Sequence, residues 1–223
     1  LNSTQLDMTA PQADARIVTI VDLQIQNILS VENALRVVGA QVKVVRDAAS
    51  IASADLIVLP GVGSFRAAAE RLHGSGMAEA IKQHAITRKR PVIGLCLGMQ
   101  LLADFSEEHG IHSGLSLIPG KVARLEEAPP EYRVPNMGWR EVSLNEKAME
   151  LLPKELNNRS FYHVHSYYFQ PTDPIHIIGT SKFGSTRIAT VVQRESIVGT
   201  QFHPEKSQES GLDLLHALIT GLR

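Results

Sequence analysis

Pro91-Val92-Ile93-Gly94-Leu95-Cys96-Leu97-Gly98-Met99-Gln100 is the stretch on which the reading of this chain turns. Val92 and Ile93 are β-formers, and Met99-Gln100-Leu101-Leu102-Ala103 suits a helix. Between them Cys96, the only cysteine in 223 residues, stands two positions from a glycine on either side. A nucleophile between close glycines, after a strand and before a helix, reads as a nucleophile elbow. The glycines permit a tight turn whose backbone runs close to neighbouring segments. The helix start puts unpaired N–H groups and a positive dipole end beside the sulfur. Both favour the thiolate, which is the reactive form. The plainer reading is a buried structural cysteine, common for a free thiol. The strand–Gly-x-Cys-x-Gly–helix frame argues for the nucleophile.

Outward from the elbow, apolar runs alternate with helical periodicities. Ile17–Val21, Gln41–Val45, Leu56–Leu59 and Val92–Leu95 read as strands. Ile28, Val31, Leu35 and Val38 recur at helical spacing, with Gly39 as the stop. Helices are also expected over Phe65–Leu72 and Met77–Thr87. This alternation predicts a parallel sheet with helices on both faces. After Gly114 the pattern changes. Val122–Leu125, Glu141–Leu144, Arg159–Val164, His176–Ser181, Ile188–Gln193 and Ile197–Gln201 form short β-rich runs, expected to make an antiparallel section joined to the parallel sheet. Leu212, Leu215, Leu218, Ile219 and Leu222 mark a closing helix. Residues 1–15 carry no periodicity and read as a flexible tail. Residues 16–223 read as one mixed α/β domain, a length that needs no second core.

Composition excludes several classes of function. The chain is 43% hydrophobic and 20% charged, with formal net charge -1. A nucleic-acid binder would show a basic bias. No apolar run reaches membrane-spanning length, and residues 1–15 lack the order of a signal peptide. One cysteine allows no internal disulfide, so a cytoplasmic, reducing setting is the expectation.

A thiol nucleophile needs a proton shuttle. Phe202-His203-Pro204-Glu205-Lys206-Ser207 supplies one, directly after an apolar strand. Glu205, two residues beyond His203 and across a proline that stiffens the turn, can hold one imidazole nitrogen and leave the other facing sulfur. Without Cys96 the same residues would read as a loop with a salt bridge. Pro60-Gly61-Val62-Gly63-Ser64 follows a strand but lacks the lysine end of a P-loop and the third glycine of a dinucleotide fingerprint. His163 and His165 share a strand face, yet no ligand framework surrounds them. A structural role is expected for both, and no metal.

The Cys96 elbow and the His203 stretch together resemble the class I (triad) glutamine amidotransferases. Pro60-Gly61-Val62-Gly63-Ser64-Phe65, Met137-Gly138-Trp139 and His165-Ser166-Tyr167-Tyr168 narrow the resemblance to the glutaminase subunits of imidazole glycerol phosphate synthase. The match runs from about Ile17 to the C-terminus. It implies a flavodoxin-like three-layer fold and no cofactor. It implies that Cys96 attacks the carboxamide of L-glutamine, that His203 shuttles the proton, and that Glu205 orients His203. An oxyanion hole is implied at the Leu97 amide and the Gly61-Val62-Gly63 loop. Gln100, Glu108, Ser166 and Tyr167 stand at the family's substrate-holding positions; Glu108, in Ser106-Glu107-Glu108-His109, reads equally as part of a solvated acidic run. Asn27, Met137, Trp139, Tyr168 and Lys206 stand at its subunit contact, although Lys206 also suits a plain surface site and Trp139 a core one.

The implied partner is a (β/α)8-barrel cyclase. It would use the released ammonia to turn a phosphoribulosyl formimino nucleotide (PRFAR) into imidazole glycerol phosphate and an aminoimidazole carboxamide ribotide (AICAR) in histidine biosynthesis. Other readings are a glutaminase serving a different acceptor, such as a sugar in surface-polysaccharide synthesis, or a non-catalytic regulatory subunit. The chain departs from the family pattern in three places. Gln24 and Gln26 stand where loop glycines are usual, Asn136 where histidine is common, and Arg140 where asparagine is usual. A positive φ at either glutamine would be strained. All three departures are expected on the docking side rather than at the thiol.

Overall fold

The computed structural model describes residues 16–25, 27–126 and 132–223; the tail expected at 1–15 and Gln26 lie outside them. In chain order the elements are β1 (Ile17–Val21), α1 (Leu29–Val37), β2 (Gln41–Val45), α2 (Ala48–Ile51), β3 (Leu56–Leu59), α3 (Phe65–Gly74), α4 (Met77–Lys82), β4 (Val92–Leu95) and α5 (Leu97–Leu101). Then follow β5 (Phe105–Ser106), β6 (His112–Ser113), β7 (Gly120–Arg124), β8 (Asn136–Leu144), β9 (Arg159–His165), β10 (Tyr167–Pro171), β11 (Ile177–Phe183), β12 (Thr186–Arg194), β13 (Ile197–Thr200) and α6 (Gln208–Gly221).

Among the described residues the main sheet has the order β2-β1-β3-β4-β13-β12-β11-β8-β9. Its first five strands are mutually parallel. With β13 in fifth place they follow the 2-1-3-4-5 order of flavodoxin-like sheets. Successive side chains of a strand point to opposite faces, and the core divides accordingly. Ile57 and Leu59 pack with α3, α4 and α5 residues such as Phe65, Ile81 and Met99. Leu56 and Val58 pack with α1 and α6 residues such as Leu35, Leu215 and Leu218. Each buried leucine of α6 contributes about 1.5–3 kcal/mol through burial. The result is helix, sheet, helix: the expected three-layer α/β architecture.

The second half differs from expectation in its strand pairing. β12, β11, β8 and β9 extend the main sheet antiparallel. β7, expected among them, instead joins a separate sheet of order β10-β7-β5-β6. β10 was not legible, because Tyr167-Tyr168-Phe169-Gln170-Pro171 lacks clean alternation; pairing with β7 makes it a strand. The helix expected over Met77–Thr87 is α-helical only to Lys82 and then turns π-helical over Gln83–Thr87. There the His84 ring lies buried and its Nε2 bonds the Pro91 carbonyl at 3.1 Å. α2 was also missed, although the Asp47 side chain caps it by accepting from Ser50 N.

Candidate active site

Parallel pairing of β4 with β13 sets Leu95 beside Thr200, so the residues that follow both strands emerge at the same edge of the sheet. Cys96 N donates to the Thr200 carbonyl at 2.7 Å. Cys96 caps α5 with φ 52° and ψ -105°. A non-glycine residue with positive φ costs about 1–3 kcal/mol, a strain concentrated at functional sites. It separates this cysteine from an ordinary core thiol, since at 6% exposure burial alone does not. The elbow is possible only because neighbouring backbones come very close. A Cβ on Gly98 would lie 1.8 Å from the Leu59 carbonyl oxygen, and one on Gly61 would lie 2.4 Å from the Leu97 Cβ.

His203 is held from several sides. Its N donates to the Tyr162 carbonyl at 2.9 Å. Its carbonyl accepts from Ser207 Oγ at 2.6 Å, and Ser207 Oγ in turn accepts from Tyr162 N. The ring Nδ1 donates to Glu205 Oε1 at 2.8 Å, both side chains being almost fully buried. That bond commits the other nitrogen, Nε2, to the side away from Glu205. Burial alone would lower the His203 pKa. The Cys96 thiol and the Glu205 carboxylate outweigh it and raise the group from 6.5 to about 10. Favourable contacts with the charged form dominate here over desolvation.

The sequence-predicted site residues do not all stand free to meet a substrate. The Leu97 N–H donates to the Gly61 carbonyl at a long 3.3 Å. That amide, expected in the oxyanion hole, is therefore engaged by the neighbouring loop. Gly63 in the same loop has φ +111°, with open space where a Cβ would stand. Glu108 does not float in a solvated acidic run. Its Oε2 accepts from Phe65 N at 3.1 Å at the first turn of α3, directly after the Gly61–Ser64 loop. Gln100 is 5% exposed and donates to the Tyr167 carbonyl at 2.9 Å. The Ser166 carbonyl accepts from Leu125 N at 2.9 Å.

Sequence reading missed Gln201. It follows β13, is fully buried, and donates from Nε2 to Cys96 Sγ at 3.7 Å while accepting from Gln100 at 3.2 Å. A glutamine ending an apolar strand one residue before Phe202-His203 was the available signal. His163 and His165, for which a structural role is expected, lie against each other. The two rings bond at 3.1 Å, and His165 Nδ1 donates to the Tyr167 carbonyl. Burial foremost lowers His163 well below 6.5 and His165 to about 4, so both are neutral at physiological pH. Among the described residues no group of three or more His, Cys, Asp or Glu could hold a metal ion.

The residues expected at a subunit contact fall into two sets. Met137 and Trp139 project from β8, 56% and 45% exposed, and Lys206 is exposed too. Trp139 is thus a surface residue edged against Tyr162, not a core one. Asn27 is exposed, and its Oδ1 accepts from Leu29 N at the start of α1. Tyr168 is half-buried against the small cluster of Leu125, Phe183 and Ile188.

The departures from the family pattern are only partly on the surface. Gln24 has φ 58°, a conformation strained for a residue other than glycine, and its side chain accepts from Arg71,. Asn136, expected on the docking side, does not lie on the surface. It is completely buried, because the Asn136 side of β8 turns inward while Met137 turns out. Its Oδ1 accepts from Arg140 at 2.9 Å and its Nδ2 donates to His165 Nε2 at 3.1 Å, so the two substituted positions bond to each other.

Comparison with known proteins agrees with this geometry. The family model "Glutamine amidotransferase class-I" matches residues 19–217. Imidazole glycerol phosphate synthase subunit HisH of Rhodospirillum rubrum is 42% identical over 179 residues, covering 80% of this chain and 83% of that protein. The HisH subunit of Listeria monocytogenes is 41% identical over 198 residues, covering 89% and 92%. Imidazole glycerol phosphate synthase hisHF, chloroplastic, of Arabidopsis thaliana is 39% identical over 216 residues, which are 96% of this chain but 36% of that longer protein. Among solved structures, PurLQS from Thermotoga maritima superposes with a TM-score of 0.71 at 17% identity, covering 94% of this chain and 100% of the matched one. That likeness speaks for the fold. No helix among the described residues is long and apolar enough to cross a membrane. By sequence, fold and the residues gathered where β4 and β13 end, the chain belongs to the class-I glutamine amidotransferase family, in the group of the HisH subunits of imidazole glycerol phosphate synthase.

Proposed function

We propose that this chain hydrolyses L-glutamine to glutamate and ammonia through Cys96, His203 and Glu205, within one catalytic domain spanning 16–223. The carrying observation is the register of β4 and β13, which delivers a strained thiol and a carboxylate-held imidazole to one sheet edge. The Cys96 thiolate attacks the carboxamide carbon. His203, protonated and held by Glu205, gives its proton to the departing ammonia. A γ-glutamyl thioester remains. His203 then takes a proton from water as the water attacks the thioester carbon, and glutamate leaves with the thiol restored.

The tetrahedral oxyanion needs donors already aimed at it. In this reading the Leu97 N–H serves once the Gly61 carbonyl turns away from it. The 3.3 Å length of that bond and the glycines of the loop make the turn inexpensive. Glu108, bonded at the loop's far end, meets the α-amino group of the substrate. Gln100 contacts the substrate, and the Ser166–Tyr167 backbone holds its other end.

The ammonia is passed to a (β/α)8-barrel cyclase that makes imidazole glycerol phosphate and AICAR from PRFAR, the two chains forming a heterodimer in the cytoplasm. Exposed Met137 and Trp139 suit such docking, since aromatic residues and Met are enriched at interfaces. The larger Arabidopsis relative, named hisHF, carries more than the portion matched here.

The test is glutamate release with and without the barrel subunit, beside Cys96→Ala. The native chain should capture the barrel and release glutamate faster in its presence. Cys96→Ala should capture the barrel equally and lose activity by at least about 10³-fold. Retained hydrolysis in Cys96→Ala would remove the nucleophile assignment. Activity without barrel capture would point to another ammonia acceptor.

A further inference from the structure

We propose that Gln201 is a positioning residue that places an N–H donor on the Cys96 sulfur, and that the polarity of its amide is dictated from the Tyr167 backbone. An amide side chain can present oxygen or nitrogen to a neighbour, and here each link removes the choice. The Tyr167 carbonyl can only accept, so Gln100 turns Nε2 toward it at 2.9 Å. The same Nε2 meets Gln201 at 3.2 Å, which requires the Gln201 oxygen on that side. Nε2 of Gln201 is thereby directed at Cys96 Sγ, 3.7 Å away.

The Tyr167 carbonyl is itself fixed, because His165 Nδ1 also donates to it at 2.9 Å. Gln201 cannot swing out, since it is fully buried and its N donates to the Thr190 carbonyl at 2.9 Å. An N–H aimed at sulfur favours the charged thiolate over the thiol. It also restrains the sulfur's position without occupying the His203 side. His203, backed by Glu205, is the titratable group that acts on the sulfur from the segment after β13. Gln201 adds a neutral donor from the same segment. The inference rests on the reading of Cys96 as the nucleophile.

Cys96 is the only cysteine, so alkylation of the full chain by iodoacetamide reports on it alone. Gln201→Met removes the donor. Gln201→Glu keeps the shape and the bond from Gln100 but turns a carboxylate toward sulfur, and it guards against a misfolded methionine variant. Both should move the pH profile of alkylation to more alkaline values by about one unit, glutamate further than methionine. Both should lower kcat about tenfold or more with KM within about twofold, as expected for a lost hydrogen bond to a charged group. Gln100→Leu, which frees the Gln201 amide to turn over, should give a smaller shift in the same direction. Alkylation profiles of both Gln201 variants superimposable on the native one would overturn the proposal. Cys96→Ser separates the two readings: if it still releases glutamate, the hydrolytic assignment falls, while the alkylation profiles continue to judge Gln201.

Discussion

Where β4 and β13 end, backbones nearly touch, polar side chains are buried, and each engaged polar group bonds a specific neighbour. On β8, a few strands away in the same sheet, Met137 and Trp139 stand half in solvent while Asn136 and Arg140, on the other side of the strand, bond inward. The first region has no tolerance for added atoms at Gly61, Gly94 and Gly98, because neighbouring backbone already fills the space. The second leaves the Met137 and Trp139 side chains partly uncovered, the kind of surface on which the proposed docking rests,. A closely packed strand end and a half-exposed apolar face are thus built on one sheet. Bonds run from Arg140 through Asn136 on β8 to His165 on the neighbouring β9.

The sharpest way to break that contrast is to add one methyl group on each side of it. In Gly98→Ala the new Cβ would sit 1.8 Å from the Leu59 oxygen, a backbone atom that cannot move cheaply. The expected loss is about 3 kcal/mol or more, read from urea unfolding, with no measurable glutaminase activity. Gly138→Ala on β8 meets nothing within 4 Å, although its φ of +121° still strains alanine. It should cost only about 1–2 kcal/mol. Equal losses at the two positions would erase the distinction.

A second test uses pH. His203 holds its proton up to about 10 in the fold against 6.5 when free. A histidine with a raised folded pKa adds stability that is complete below the unfolded value and fades as pH climbs to the folded one. The native chain should therefore lose this contribution between about pH 6.5 and 10. Glu205→Gln, which removes one of the groups holding the proton, should be destabilised most at pH 6 and least near pH 10. Urea midpoints across that range check it, and a difference independent of pH would argue that Glu205 acts by packing alone.

At the contact face the expected numbers are smaller for the fold and larger for association. Trp139→Ala should change unfolding free energy by about 0.5 kcal/mol or less, since the ring is 45% exposed,. Binding to the barrel subunit, measured by calorimetry, should weaken about tenfold or more, as for a buried interface aromatic. Unaltered affinity would remove Trp139 from the contact. The smallest effect belongs to Gln24→Gly. It relieves a φ of 58° at the loss of an exposed bond from Arg71. The net gain should be at most about 1 kcal/mol, visible as a slightly higher unfolding midpoint.

Much of this was legible because it is local. Ile17–Val21, Gln41–Val45, Leu56–Leu59 and Val92–Leu95 lie where apolar runs predict strands, since a strand buried on both faces must be apolar throughout. Cys96, His203 and Glu205 were legible because a glycine-framed thiol and a proline-braced His-Pro-Glu are local in sequence. The short pairings β5–β6 and β7–β10 were not, since two-residue strands and irregular runs take their identity from the partner they bond.

Sequence alone therefore determined the strand–helix alternation, the glycine-framed Cys96 turn and the close spacing of His203 and Glu205, because each is set within a few residues. Only the tertiary structure decided that Gln201 meets the sulfur, that Asn136 turns inward to Arg140 and His165, and that the Leu97 amide is engaged by Gly61. Those outcomes depend on which strand lies beside which and in what register. A register places residues dozens or a hundred positions apart within a hydrogen bond of one another, and no local pattern encodes that distance.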